Sequence, residues 1–128
     1  NDKKTINKFD RWNKIAKEAA EQCGRTIVPE ISSFLLSFDE VLDSASDYDL
    51  ALIPWEGENN QSLKETLLLK KDIKNILIII GPEGGFSNSE IEKAKNLNLI
   101  TVTLGKRILR TETAAMAILA MLIYEFEL

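Results

Sequence analysis

Apolar side chains recur at helical spacing through Phe9, Trp12, Ile15, Ala16, Ala19 and Cys23, with charged and amide residues between them. That rhythm predicts an amphipathic helix of about four turns, stopped by Gly24. "RTIVPEI" predicts a short extended piece ended by Pro29. Ser37 and Glu40 stand at capping-box spacing with Leu36 and Val41 placed as a staple, so a short helix is expected to start there. Tyr48 to Pro54, "YDLALIP", predicts a buried strand, "WEGENNQ" a loop, and "SLKETLLLK" a helix with Ser62 and Glu65 at capping spacing. Asn75 to Ile80, "NILIII", is an unbroken apolar run that suits a central parallel strand covered on both faces. Ser87 and Glu90 form a further capping box, and Phe86 with Ile91 supplies its staple, so another helix starts just after a glycine loop. "LITVTLG" is the next strand. The last helix, Thr113 to about Phe126, is apolar almost all round and must be buried under the sheet or against a second subunit. Strands alternating with helices predict an α/β fold, a parallel sheet flanked by helices.

At 128 residues and 45% hydrophobic, the chain is the size of one domain. It begins at Asn1 without methionine and reads as a fragment of something longer. No secretory leader is visible, and the apolar run Ala114 to Tyr124 falls short of the ~20 residues that span a bilayer. A cytoplasmic protein with no membrane partner is the default. One cysteine and no histidine leave no ordinary zinc site and no Ser-His or Cys-His nucleophile, so no metal is expected. Chemistry falls to carboxylates, arginine, lysine, hydroxyls and backbone. A net charge of -4 argues against strong nucleic-acid binding by this domain alone.

In an open α/β sheet, ligands collect outside the carboxyl ends of the strands. Three loops leave such ends: "PWEGEN", "GPEGGFS" and "LGKRILRTET". The second matches neither nucleotide fingerprint, and Pro82 and Glu83 suit polyphosphate badly, one lacking an amide donor and the other negatively charged. A ligand without phosphate, or partly cationic, fits better, and S-adenosylmethionine meets both conditions. A plain tight turn is the structural alternative. The third loop packs Lys106, Arg107, Arg110 and Glu112 around Ile108 and Leu109, where a solvated charged loop is the bland alternative. Arg25 would by itself complement the dipole of the first helix.

Taken together, "EQCGR", "LIPWE", "IIIGPEGGFSNSE" and "VTLGKRILRTETAA" resemble the RsmE family from about Arg11 to Tyr124. These are methyltransferases of uridine N3 in small-subunit (16S) ribosomal RNA. The resemblance implies a SPOUT-type α/β fold with a deep C-terminal trefoil knot, a homodimer, S-adenosylmethionine as cofactor and 16S rRNA in the small ribosomal subunit as partner. It also implies that residues 1–128 are the methyltransferase domain, without the PUA-like RNA-binding barrel of the family. The cofactor pocket would take Leu52, Ile53 and Pro54 as one wall and Gly81, Pro82, Glu83 and Gly84 as another. Leu104, Gly105, Ile108 and Leu109 would form the third.

Methylation at uridine N3 needs a held base, stabilisation of charge on O2 and O4, and an acceptor for the N3 proton. Arg110 suits the stabilising role, and Arg25, from either subunit, would hold RNA phosphate or the target base. An interface ion pair is the structural alternative for both arginines. Glu112 and Glu83 are the available bases, with direct proton loss to water an equal alternative. Cys23 is expected to be a buried helix cysteine. Two rivals stand beside this reading: another SPOUT enzyme acting on ribose 2′-O, and a non-catalytic nucleotide- or RNA-binding module.

Overall fold

A computed structural model describes residues 2–126, and a boundary after Ser37 divides the chain into two compact units.

The N-terminal unit carries helix α1, Asp2–Gln22, which begins well before the periodic apolar positions do. It stops as expected. Gly24 has φ of +78°, its N–H donates to Glu21 O (3.3 Å), and Arg25 N–H donates to Ala20 O (2.8 Å). That pair of bonds is the Schellman pattern, in which a left-handed glycine lets the chain satisfy the last carbonyls. Cys23 corrects the sequence expectation, being exposed at the C-cap of α1, beyond the helix's last buried residue, Ala20. No regular element follows between Gly24 and Ser37, although Asn13 holds the segment through Ile31, accepting from its N–H at 3.2 Å.

The C-terminal unit runs α2 (Phe38–Ser44), a 3-10 turn (Ala45–Asp47), β1 (Leu50–Pro54), α3 (Leu63–Leu69), β2 (Ile76–Ile78), α4 (Asn88–Asn96), β3 (Ile100–Val102) and α5 (Thr111–Phe126). Two helix starts follow their sequence signals. Ser62 Oγ accepts from Glu65 N–H at α3, and at α4 Ser87 and Glu90 make both bonds of a reciprocal capping box.

The three described strands are parallel in the order β2-β1-β3. The apolar run of β2 is therefore at an edge and half-buried, correcting its expected central place. β1 holds the centre, with Leu52 and Ile53 fully buried. Its alternation feeds two layers. Ala51 and Ile53 pack with Leu42, Ile91 and Ala94 of α2 and α4, while Leu50 and Leu52 pack with Leu63, Leu67, Ile118 and Leu122 of α3 and α5. A sheet covered on both faces accepts continuous apolar strands, so the runs in β1 and β2 looked alike although only one is central.

At the strands' amino ends, Asp49 Oδ2 accepts from Lys74 N–H (2.8 Å), and Asn75 Oδ1 accepts from Asp49 N–H (2.7 Å). The β1–β2 register is thereby fixed at one end, which leaves the carboxyl-end loops to meet at the other.

Candidate cofactor and substrate cavity

The loops after β1, β2 and β3 converge on one cavity of about 780 Å³. Residues from Pro54 to Asn59 form one wall, Ile80 to Phe86 a second, and Thr103 through Ala114 a third that includes the first turn of α5.

In the second wall, Gly85 closes a turn by donating its N–H to Pro82 O at 2.8 Å, with φ of +74°. A Cβ on Gly81 would stand 2.8 Å from the Phe86 ring, so the missing side chain lets that ring fold back over the loop. Phe86 belongs to the same core cluster as Ile91, placing the loop directly on the capped start of α4. The second and third walls are joined by Thr111, whose hydroxyl donates to Gly81 O at 3.0 Å.

The third wall turns on Thr103. Its hydroxyl donates to Gly105 O (2.9 Å) and accepts from Gly105 N–H (3.2 Å), holding a glycine whose φ is +130°. The backbone of Thr103 also pairs with the first loop, its N–H donating to Gln61 O (2.8 Å) and its carbonyl accepting from Leu63 N–H (3.4 Å).

The first wall is built around Glu58. Its carboxylate accepts from Asn60 N–H (3.1 Å), Gln61 N–H (3.2 Å) and the hydroxyl of Thr101 on β3. The Thr101 bond does most to hold this carboxyl below the usual carboxylate range. Partial burial opposes it, while the two backbone donors and the Lys95 charge assist. Because the folded pKa is depressed, the stability contributed is present above the ordinary carboxylate range and is lost as pH falls through the lower folded value. Trp55 folds over Gly57, where a Cβ would meet the indole at 2.4 Å, and Lys95 of α4 places its ammonium 5.6 Å from the same ring centroid.

Of the residues singled out from sequence, Pro54, Gly81, Pro82, Glu83, Leu104, Gly105, Ile108, Leu109, Arg110 and Glu112 line the cavity. Gly84 lies within the turn between lining residues. Leu52 and Ile53 sit deeper in β1, their side chains packed in the core on opposite faces of the sheet. Arg25 belongs to the N-terminal unit, exposed just past α1. Trp55, Glu58, Phe86, Thr103 and Thr111 also line the cavity and were not singled out, although all lie on or beside the same three loops. Among the described residues, no group of three or more His, Cys, Asp or Glu is placed to hold a metal ion, and no helix is long and apolar enough to cross a membrane.

A parallel α/β domain whose strand-end loops gather on one cavity defines the class, and the chain belongs to the RNA methyltransferase domain family, which matches residues 1–123. Within it, the chain is similar to the ribosomal RNA small subunit methyltransferase E of Bacillus subtilis (strain 168), at 37% identity over 99% of this chain and 51% of that protein. The protein of the same name from Mesomycoplasma hyopneumoniae (strain 232) is 38% identical over 88% of this chain and 47% of its own length. The chain thus spans about half the length of the curated relatives it matches. Solved structures agree. A Legionella pneumophila protein in complex with the cofactor SAM superposes with a TM-score of 0.87 at 32% identity, covering 98% of this chain and 49% of the other. The Neisseria gonorrhoeae ribosomal RNA small subunit methyltransferase E bound to S-adenosyl methionine gives 0.82 at 31%, covering 94% and 49%. The architecture is the SPOUT-type α/β fold.

Proposed function

We propose that this chain is the methyltransferase domain of a protein that uses S-adenosylmethionine to methylate N3 of a uridine in 16S ribosomal RNA. The convergence of three strand-end loops on one cavity carries this reading, supported by relatives of that name and by two neighbours solved with the cofactor.

The residues present fit the cofactor. The cavity walls are rich in backbone, with Gly81, Gly85 and Gly105 leaving room for a ligand to approach the chain, and they carry the carboxylates of Glu56, Glu83 and Glu112 beside the cations Lys106, Arg107 and Arg110. Such a mixed lining suits a ligand that combines hydrogen-bonding rings with a positive centre and a carboxylate. When bound, S-adenosylmethionine supplies an electrophilic methyl group on its sulfonium. The backbone of Gly81 to Gly85 and of Leu104 to Leu109 would hold it, with Pro54 closing the first wall. Arg110, on the cavity rim, stabilises charge that spreads onto O2 and O4 of the uracil as the N3 proton departs. Glu112 and Glu83, both exposed at the cavity, stand as the available acceptors for that proton. Arg25 is assigned to RNA phosphate or the target base.

The deep knot is part of this proposal, as is a cytoplasmic location. A homodimer is part of it too, supported by α5, which buries Ile118 and Leu122 yet leaves Met116, Leu119, Met121, Ile123 and Tyr124 exposed. An apolar stripe of that kind is costly in water and suits a second copy. Sedimentation equilibrium should return twice the chain mass, and a monomer at micromolar concentration would refute the dimer.

The reaction is tested by nucleoside mass spectrometry of small-subunit RNA after incubation with protein and S-adenosylmethionine. N3-methyluridine is expected. A ribose 2′-O-methyl product would transfer the chain to the other SPOUT chemistry, and failure to bind S-adenosylhomocysteine would leave a non-catalytic binding module.

A further inference from the structure

We infer that Glu58 is the positioning residue that shapes two of the three cavity walls, joining the interior of β3 to the loop that carries Gly105. This rests on the cofactor reading proposed above.

Glu58 and Thr101 are 43 residues apart, and the Thr101 side chain is buried at 4% exposure on β3. The Thr101 hydroxyl fixes one carboxylate oxygen from below, while the other oxygen gathers the N–H groups of Asn60 and Gln61. With its N–H directed at Glu58, Gln61 turns its carbonyl to Thr103 N–H at 2.8 Å. Thr103 in turn grips the backbone N–H and carbonyl of Gly105 through its hydroxyl. Each link is a separate hydrogen bond, and together they run from the sheet through the first wall into the third.

The carboxylate is suited to this task because it accepts three donors at once without a counter-ion in contact. Without it, Asn60 and Gln61 lose a shared acceptor, and Thr101 is left with a buried hydroxyl to satisfy. Alanine removes every one of those acceptors. Glutamine keeps one oxygen for the two backbone donors and offers an amide that the Thr101 hydroxyl can accept from. Glutamine should therefore restore most of what alanine loses, which a role resting on charge would not allow.

Calorimetric titration with S-adenosylhomocysteine tests this on the parent protein and on Glu58→Ala, Glu58→Gln and Thr101→Val. Glu58→Ala should weaken binding about tenfold, and Glu58→Gln should recover to within about threefold of the parent. Amide hydrogen exchange at Asn60, Gln61 and Gly105 should quicken in Glu58→Ala without ligand present, a readout independent of catalysis. Parent-like binding and exchange in Glu58→Ala would overturn the inference, as would a glutamine variant no better than alanine. Should Glu58→Ala fail to fold, Thr101→Val decides: weaker binding with faster exchange at Gln61 supports the link, and no change in either overturns it. Failure of the parent to bind S-adenosylhomocysteine would strike the cofactor reading instead, and the exchange data would still report on Glu58.

Discussion

Arg110→Ala is expected to lower kcat about a hundredfold or more while leaving affinity for S-adenosylhomocysteine within about threefold. Arg110 stands where the third loop becomes α5: its carbonyl accepts from Ala114 N–H at 2.7 Å in the first helical turn, and the residue itself is exposed on the cavity. Its backbone is fixed by the helix start and its guanidinium is free to meet a ligand. A guanidinium stays charged at every working pH and presents a planar fork, suited to two oxygens of a uracil anion. Interactions that strengthen only as charge develops raise kcat without tightening the resting complex. Arg110→Lys sharpens the test, since it keeps the charge and loses the fork, so its kcat should lie between the other two. Steady-state kinetics with small-subunit RNA, paired with calorimetry, would check both variants. Equal loss of turnover and cofactor affinity would move Arg110 from transition-state stabilisation to pocket construction.

The sequence exposed what is local and hid what is not. The capping box of Ser87 and Glu90 and the left-handed stop at Gly24 lie within a few residues of the ends they define, and both appear as expected. All three cavity loops were legible too, because glycine, proline and charge cluster where apolar strands end. Strand order was not. "LALI" and "ILIII" are equally apolar, and only pairing on both sides of β1 made it central and β2 an edge. The start of α1 was hidden because its first turns carry too few apolar residues to show a period. Glu58 was invisible for another reason. Its meaning lies in Thr101, and no spacing rule connects residues 43 apart. The tie from Thr111 to Gly81, 30 residues apart, is of the same kind. Motifs therefore named the loops, while tertiary hydrogen bonds decided which side chains hold them in place.

Gly105 gives the sharpest test of that division. At φ of +130° its backbone occupies a region that L-residues rarely adopt, and forcing one there costs about 1–3 kcal/mol. Yet a Cβ built on Gly105 meets no protein atom within 4 Å, so the strain is conformational and not steric. Two routes lie open to Gly105→Ala. Either the Thr103 clamp holds the peptide and the fold bears the strain, or the peptide rotates away and the third wall changes shape. The exposed position of the loop favours rotation, because breaking two surface hydrogen bonds from Thr103 costs no more than the strain itself. Gly105→Ala is therefore expected to weaken S-adenosylhomocysteine binding by about ten- to a hundredfold with only a few degrees' loss in melting temperature. Gly84→Ala supplies the control within the cavity region. Gly84 is exposed, has no left-handed φ and would meet nothing with an added Cβ, so both readouts should stay near those of the parent. Parent-like affinity in Gly105→Ala would mean that the third wall tolerates a changed backbone at this point. The cofactor would then be held chiefly by Gly81 to Gly85 and the residues beyond Lys106.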